Sequence, residues 1–235
     1  MVNPKYFFIG FKSIKGVGSP AIALGASFIA IGALLKNLGF SVQESIFSTF
    51  LTYALPGSLV MAESMFIGAS LINIFFAVWL VNARLYPMTV SLMPLLMHST
   101  QPKWKYYLSC HFIAVSSWLI MKENYKRIDK ENRIDFWIGI GTATWLVAII
   151  STIIGYIASD YLNKDILIGL TIVNPIYFLC MMLGAMKTIQ ISSSIILGSI
   201  LGPIFYFISP EWCILIGGLI AGTFAYFIGE KKNEH

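Results

Sequence analysis

The sequence predicts an all-α fold: a polytopic transmembrane helix bundle of about 7–8 spans, with broken helices and both termini in the cytoplasm. Two features of composition carry the prediction. Of the 235 residues 57% are hydrophobic and only 11% charged, and the mean hydropathy is +0.76. A soluble domain averages about 25% charged residues and lacks a succession of ~20-residue apolar runs. The third feature is the placement of charge, because most Lys and Arg residues fall in short loops beside the apolar runs.

Hydropathy places candidate spans at 17–36, 43–66, 67–97, 104–121, 136–158, 166–186, 189–208 and 211–229. The first follows Lys5, Lys12 and Lys15 with no polar mature domain behind a small-residue cleavage site, so it reads as a retained helix. Residues 6–14 before it are aromatic and basic by turns, and 1–16 reads as a cytoplasmic, interfacial segment. The second span holds Pro56, Gly57 and Ser58, which can open a helix and expose backbone groups. The third, at about 30 residues, exceeds the ~20 that cross a bilayer. It is one tilted, broken crossing or a crossing plus a re-entrant piece, and the count is eight or seven accordingly. The longest hydrophilic stretch, 122–135, reads as a cytoplasmic loop.

With eight crossings, Lys5, Lys12, Lys15, Lys122, Lys126, Arg127, Lys130, Arg133, Lys187, Lys231 and Lys232 share the cytoplasmic side. Lys36, Lys103, Lys105 and Lys164 fall opposite, which satisfies the positive-inside rule. The net charge of +5 is therefore topology and not a nucleic-acid footprint. The chain, 1–235, reads as one transmembrane domain in a lipid bilayer. Cys110, Cys180 and Cys213 lie in separate apolar segments, which suits small core residues better than a disulfide framework or zinc site. Phosphate-loop, zincin, nucleophile-elbow and dinucleotide fingerprints are lacking, so no cofactor, metal or enzymatic activity is expected.

The residues that could carry chemistry are polar groups inside apolar runs. Arg84 sits between 65–81 and 85–97, which hold no other charge. A cation at the bilayer centre costs about 2.5–3.5 kcal/mol and usually faces a bundle interior or aqueous cavity. Its guanidinium suits a carboxylate, and Asn82 lies beside it. The structural alternative is that Arg84 snorkels or ties down freed carbonyls. Glu63 is the acidic residue well inside an apolar run; it could carry a proton, pair with Arg84 or hold a substrate ammonium. Equally, Pro56-Gly57 could be a plain kink with Glu63 near the headgroups. His111 is a second proton-coupling candidate, or a buried neutral histidine; His98 reads as a loop residue. Asn174-Pro175 could form a second lining of the pathway or a kink. A faint internal echo links Leu80-Val81-Asn82 with Ile172-Val173-Asn174, as expected of inverted repeats but brief enough to arise by chance.

The order of these features resembles the AzlC family over about residues 10 to 228. The matching elements are Gly16 and Pro20, Gly25, Gly32, Gly39-Phe40-Ser41, Pro56-Gly57-Ser58, Asn82-x-Arg84 and Asn174-Pro175-x-x-Phe178. The resemblance implies the large subunit of a bacterial branched-chain amino acid exporter in the cytoplasmic membrane. It also implies a small AzlD-like membrane subunit as partner and coupling to the proton motive force. On this reading Arg84, Asn82, Pro56, Gly57, Ser58 and Asn174 bind an amino acid substrate, with Glu63 or His111 coupling protons. An exporter or channel for another small metabolite, or a structural membrane subunit without transport of its own, are the alternatives.

Overall fold

The computed structural model describes residues 2–15, 20–66, 68–83, 85–161, 189–208 and 213–233, with scattered positions between 163 and 186. Among the described residues the regular structure is helical. The elements are α1 (Pro4–Lys12), α2 (Pro20–Asn37), α3 (Val42–Thr52), α4 (Leu55–Phe66), α5 (Leu71–Asn82), α6 (Leu85–Leu96), α7 (Lys103–Ser109), α8 (Val115–Asn124) and α9 (Arg133–Ala158), then α10 (Ile189–Ile208) and α11 (Cys213–Asn233). Two compact units result, residues 1–175 and 176–235.

Helix α9 is the axis of the first unit. It is 26 residues long, about 39 Å at 1.5 Å per residue, against a hydrocarbon core of about 30 Å. Ile134, Phe136, Trp137, Ile140, Ala143, Ala148, Thr144 and Thr152 are all buried along it. Its small residues let neighbours approach to backbone contact. A methyl group at Gly139 would strike the Phe7 carbonyl, and one at Gly155 the Ile29 carbonyl. In return Gly10 faces Phe136 and Gly32 faces Thr152. Close packing of this kind through small residues is what joins helices where lipid removes the hydrophobic drive. Thus α1 and α2 run consecutively along α9 in its own direction, from Asn3 at Asp135 (2.9 Å) to Lys36 at Asp160 (2.7 Å). Residues 6–14, read as an interfacial stretch, supply most of the α1 face packed on α9.

With α9 as a ruler, two expected crossings turn out to reverse. Helix α3 starts at the Asp160 end, where Tyr156 donates to the Phe40 carbonyl (3.0 Å). It passes Thr152 through Thr49 (3.0 Å) and reaches Trp145, whose indole N–H donates to the Phe50 carbonyl (3.2 Å). Helix α4 then turns back, and Ala62 packs with Ile31, Leu35, Leu38 and Phe40 near the end where α3 began. The segment 43–66 therefore doubles back as a hairpin about halfway along α9.

The segment 104–121 does the same from the opposite end. Lys105 meets Asp135 (2.8 Å), Trp137 donates to the Ser109 carbonyl (3.2 Å), and Phe112 abuts Gly141. Helix α8 returns, placing Ile120 and Met121 beside Ile134 and Trp137. Lys105, expected in a loop on the far side from 122–135, is instead at the same end as that loop.

Between the hairpins, α5 and α6 descend as one traverse bent by 50°. It ends where Arg133 donates to the Leu95 carbonyl (3.3 Å). The bent pair is either a broken span or a re-entrant loop. The order of the first unit is traverse, hairpin, traverse, hairpin, traverse, and the second hairpin enters opposite to the first. Of the tripeptide echo, Val173 and Asn174 lie outside the described residues.

Among the described residues three helices are long and apolar enough to cross a membrane, or four with the bent pair. The expected count of seven or eight crossings is not confirmed among the described residues. Pro56 does not interrupt a helix; it sits in the first turn of α4, where its missing N–H costs nothing. In the second unit α10 and α11 pack antiparallel, with Gly229 against Gln190 and Gly217 against Gly202.

The hairpin geometry yields a labelling test. Cysteines replacing the exposed Lys103 and Lys130, in a background freed of native cysteines, are expected to react with an impermeant maleimide from the same side of the membrane. Labelling from opposite sides would restore a crossing at 104–121.

Candidate functional site

The hairpin tips meet halfway along α9. At the first tip Tyr53 adopts left-handed backbone angles (φ 32°, ψ 35°), a conformation that costs a bulky residue of order 1–3 kcal/mol and is held by its surroundings. Pro56 has no N–H to carry α3 onward, so the chain breaks at Tyr53 and Ala54 before α4 begins. The second tip has neither Pro nor Gly. Its break is made by a 3-10 turn (Cys110–Phe112) and extended Ala114, with Ser117 satisfying the opened backbone. The Ser117 hydroxyl donates to the Phe112 carbonyl (2.6 Å) and accepts from the Ala114 N–H (3.0 Å). The Ser117 hydroxyl is thereby occupied by the tip's own backbone.

Aromatic side chains join the tips. The Tyr53 ring stacks on Phe28 (6.4 Å) and lies 6.2 Å from His111. His111 in turn meets Trp145 at 6.1 Å, and Phe50 meets it at 4.6 Å. An apolar cavity of about 490 Å³ opens beside this cluster, lined by Phe50, Leu51, Trp104, Leu108, His111 and Trp145. Its size falls in the range of small-molecule sites.

Buried polar atoms lie on and beside the first hairpin. The Ser48 and Ser58 hydroxyls and the Asn82 amide oxygen are buried with no hydrogen bond, while the buried Tyr53 hydroxyl bonds to Thr144. Ser58 is 1% and Tyr53 3% exposed. Each unpartnered atom costs about 1–3 kcal/mol. Asn82 presses on Gly57, where a Cβ would stand 2.5 Å from the amide nitrogen. The N-terminal turn of α4, whose first N–H groups carry partial positive charge, points into the same region.

Of the sequence candidates, Asn82, Gly57 and Ser58 come together, Pro56 starts the same turn, and His111 caps the opposite tip. Arg84, Asn174 and the side chain of Glu63 lie outside the described residues. Sequence reading missed Tyr53, Ser48 and Trp145, since aromatic and small hydroxyl residues are ordinary in membrane helices. The proline two positions after Ala54 was the available signal for Tyr53. It also missed the interior ion pair of Lys105 and Asp135, whose side chains are 0% and 2% exposed. Lys105 also donates to Gln101 (2.8 Å), and Asp135 accepts from the Asn3 N–H.

Long apolar helices wrapped around opposed half-depth hairpins define a polytopic helical membrane protein. The chain belongs to the AzlC family: the model described as AzlC protein matches residues 20–162, α2 through α9. Membership makes it a transport-related membrane protein. No curated protein and no solved structure matches it.

Proposed function

We propose that the chain is a secondary transporter that exports branched-chain amino acids across the bacterial cytoplasmic membrane, coupled to protons and assisted by a small AzlD-like membrane subunit. The supporting observation is the meeting of two oppositely directed hairpins at Tyr53 and His111, with the buried polar atoms of Ser48, Ser58 and Asn82 on or beside the first hairpin and an apolar cavity beside His111 and Trp145. Discontinuous helices that meet at the bilayer midplane are how many secondary transporters hold small solutes. A zwitterion with an apolar side chain matches both halves of that setting.

In this mechanism Arg84 takes the substrate carboxylate, and the side chain enters the cavity between Phe50, Leu108 and Trp145. Displacement of either hairpin from α9 opens one end at a time. Glu63 or His111 carries the coupled proton. Lys103, Lys105, Lys122, Lys126, Arg127, Lys130 and Arg133 belong to segments gathered at the Asp135 end, which the positive-inside rule assigns to the cytoplasm.

The test is counterflow of radiolabelled leucine and valine in vesicles carrying the chain with and without its small companion. Exchange that requires both subunits and rises with a pH gradient is expected. Exchange indifferent to the gradient would favour an uncoupled channel, and none with either solute would refute branched-chain export.

A further inference from the structure

We infer that the apolar cavity beside the hairpin tips takes an aromatic side chain, so that the solutes carried include phenylalanine and tryptophan as well as the branched-chain amino acids. The inference rests on the transport reading and adds the substrate class that the cavity selects. Five rings line it: Phe50 from the first hairpin, Trp104, His111 and Phe112 from the second, and Trp145 from α9. Around Trp145 the rings stand edge to face, His111 at 82° and Phe112 at 71°, with Phe50 tilted at 59°. Aromatic pairs favour that arrangement, and a further ring entering the cavity can join it in the same way.

Size points in the same direction. The volume of about 490 Å³ lies within the range of about 300–1,000 Å³ over which sites enclose drug-sized ligands. The lining runs over two turns of α9, from Ile138 to Trp145, about 10 Å at 1.5 Å per residue. The isobutyl side chain of leucine leaves most of that volume unfilled, and a gap forfeits dispersion contacts. A benzyl or indolyl group fills more of it.

Polar chemistry does not compete for the space. The Lys105 ammonium is bound to Asp135 and Gln101, the Ser109 hydroxyl donates to the Tyr106 carbonyl, and the Trp145 N–H is taken by the Phe50 carbonyl. Among the described residues no carboxylate lines the cavity, which favours a neutral ring over a cation.

Counterflow in vesicles carrying the chain with its small companion tests this, with radiolabelled valine, leucine, phenylalanine and tryptophan. Phenylalanine and tryptophan are expected to exchange, with half-saturating concentrations about two- to tenfold below that of leucine, the scale of one added aromatic pair. Ile138→Trp fills the cavity from α9 and is expected to raise the ratio of the tryptophan to the valine half-saturating concentration at least about tenfold, the scale of an overpacked site. Leu108→Phe, at an exposed position on the wall, should shift the ratio in the same direction and supplies the reading if Ile138→Trp does not accumulate. A purely structural role of the cavity would change all four solutes alike.

Exchange of leucine and valine without phenylalanine or tryptophan overturns the inference and leaves branched-chain export standing. Exchange of the aromatic pair alone removes branched-chain export and keeps the inference. Aromatic exchange whose ratio to valine ignores both variants overturns the assignment to this cavity. If none of the four solutes exchanges, both readings fall.

Discussion

Lys105→Met is expected to destabilise the protein by about 3–5 kcal/mol, because it leaves the Asp135 carboxylate buried without its cation. Asp135→Leu should cost a similar amount for the converse reason. The double variant, Lys105→Met with Asp135→Leu, should recover much of the loss, since an apolar pair of similar volume replaces two charges that both had to be desolvated. Thermal unfolding in detergent of the three variants measures this. If the single variants match the wild type in Tm, the pair is not buried as described. The effect should reach beyond one contact: Asp135 also binds the Asn3 N–H at the start of α1, and Lys105 fixes the start of α7.

Arg84→Ala is expected to abolish amino acid efflux, a fall of at least about a hundredfold, while the protein still inserts and accumulates. The removed fork of donors is the proposed holder of the substrate carboxylate, and a bidentate charged contact is stronger than a neutral hydrogen bond. Arg84→Lys keeps the charge but not the fork, and should restore only a small part of the flux. Efflux at the wild-type rate from Arg84→Ala vesicles would remove this residue from the pathway.

Much of the helix placement was legible from hydropathy. The spans expected at 17–36, 136–158 and 189–208 correspond to α2, α9 and α10. Direction was not legible, because hydropathy measures apolar length and is blind to reversal. Helices α3 and α4, at 11 and 12 residues, add up to the length of one crossing. At the first tip Pro56 announced a break but not a turn. At the second, 110–114 carried no breaker at all; the break depends on Gly141 admitting Phe112 and on Ser117 capping the tip, both matters of packing. The candidate site was half legible for a similar reason. Asn82, Gly57 and Ser58 stood out as polar or flexible residues in apolar sequence, whereas Tyr53 gains meaning only from its backbone angles and its ring contacts with Phe28 and His111. Lys105, at the edge of an apolar run, looked like loop charge until α9 supplied Asp135.

The late position of α9 in the chain has a consequence for biogenesis. Both hairpins and two traverses are synthesised before Arg133 emerges, yet Trp145, Thr152 and Asp135 are the residues against which those hairpins are seated. A nascent chain halted before α9 holds the first hairpin against α2 alone, through Tyr53 on Phe28 and Ala62 on Ile31 and Leu35. The seating of both hairpins is complete only once the last traverse of the first unit is made.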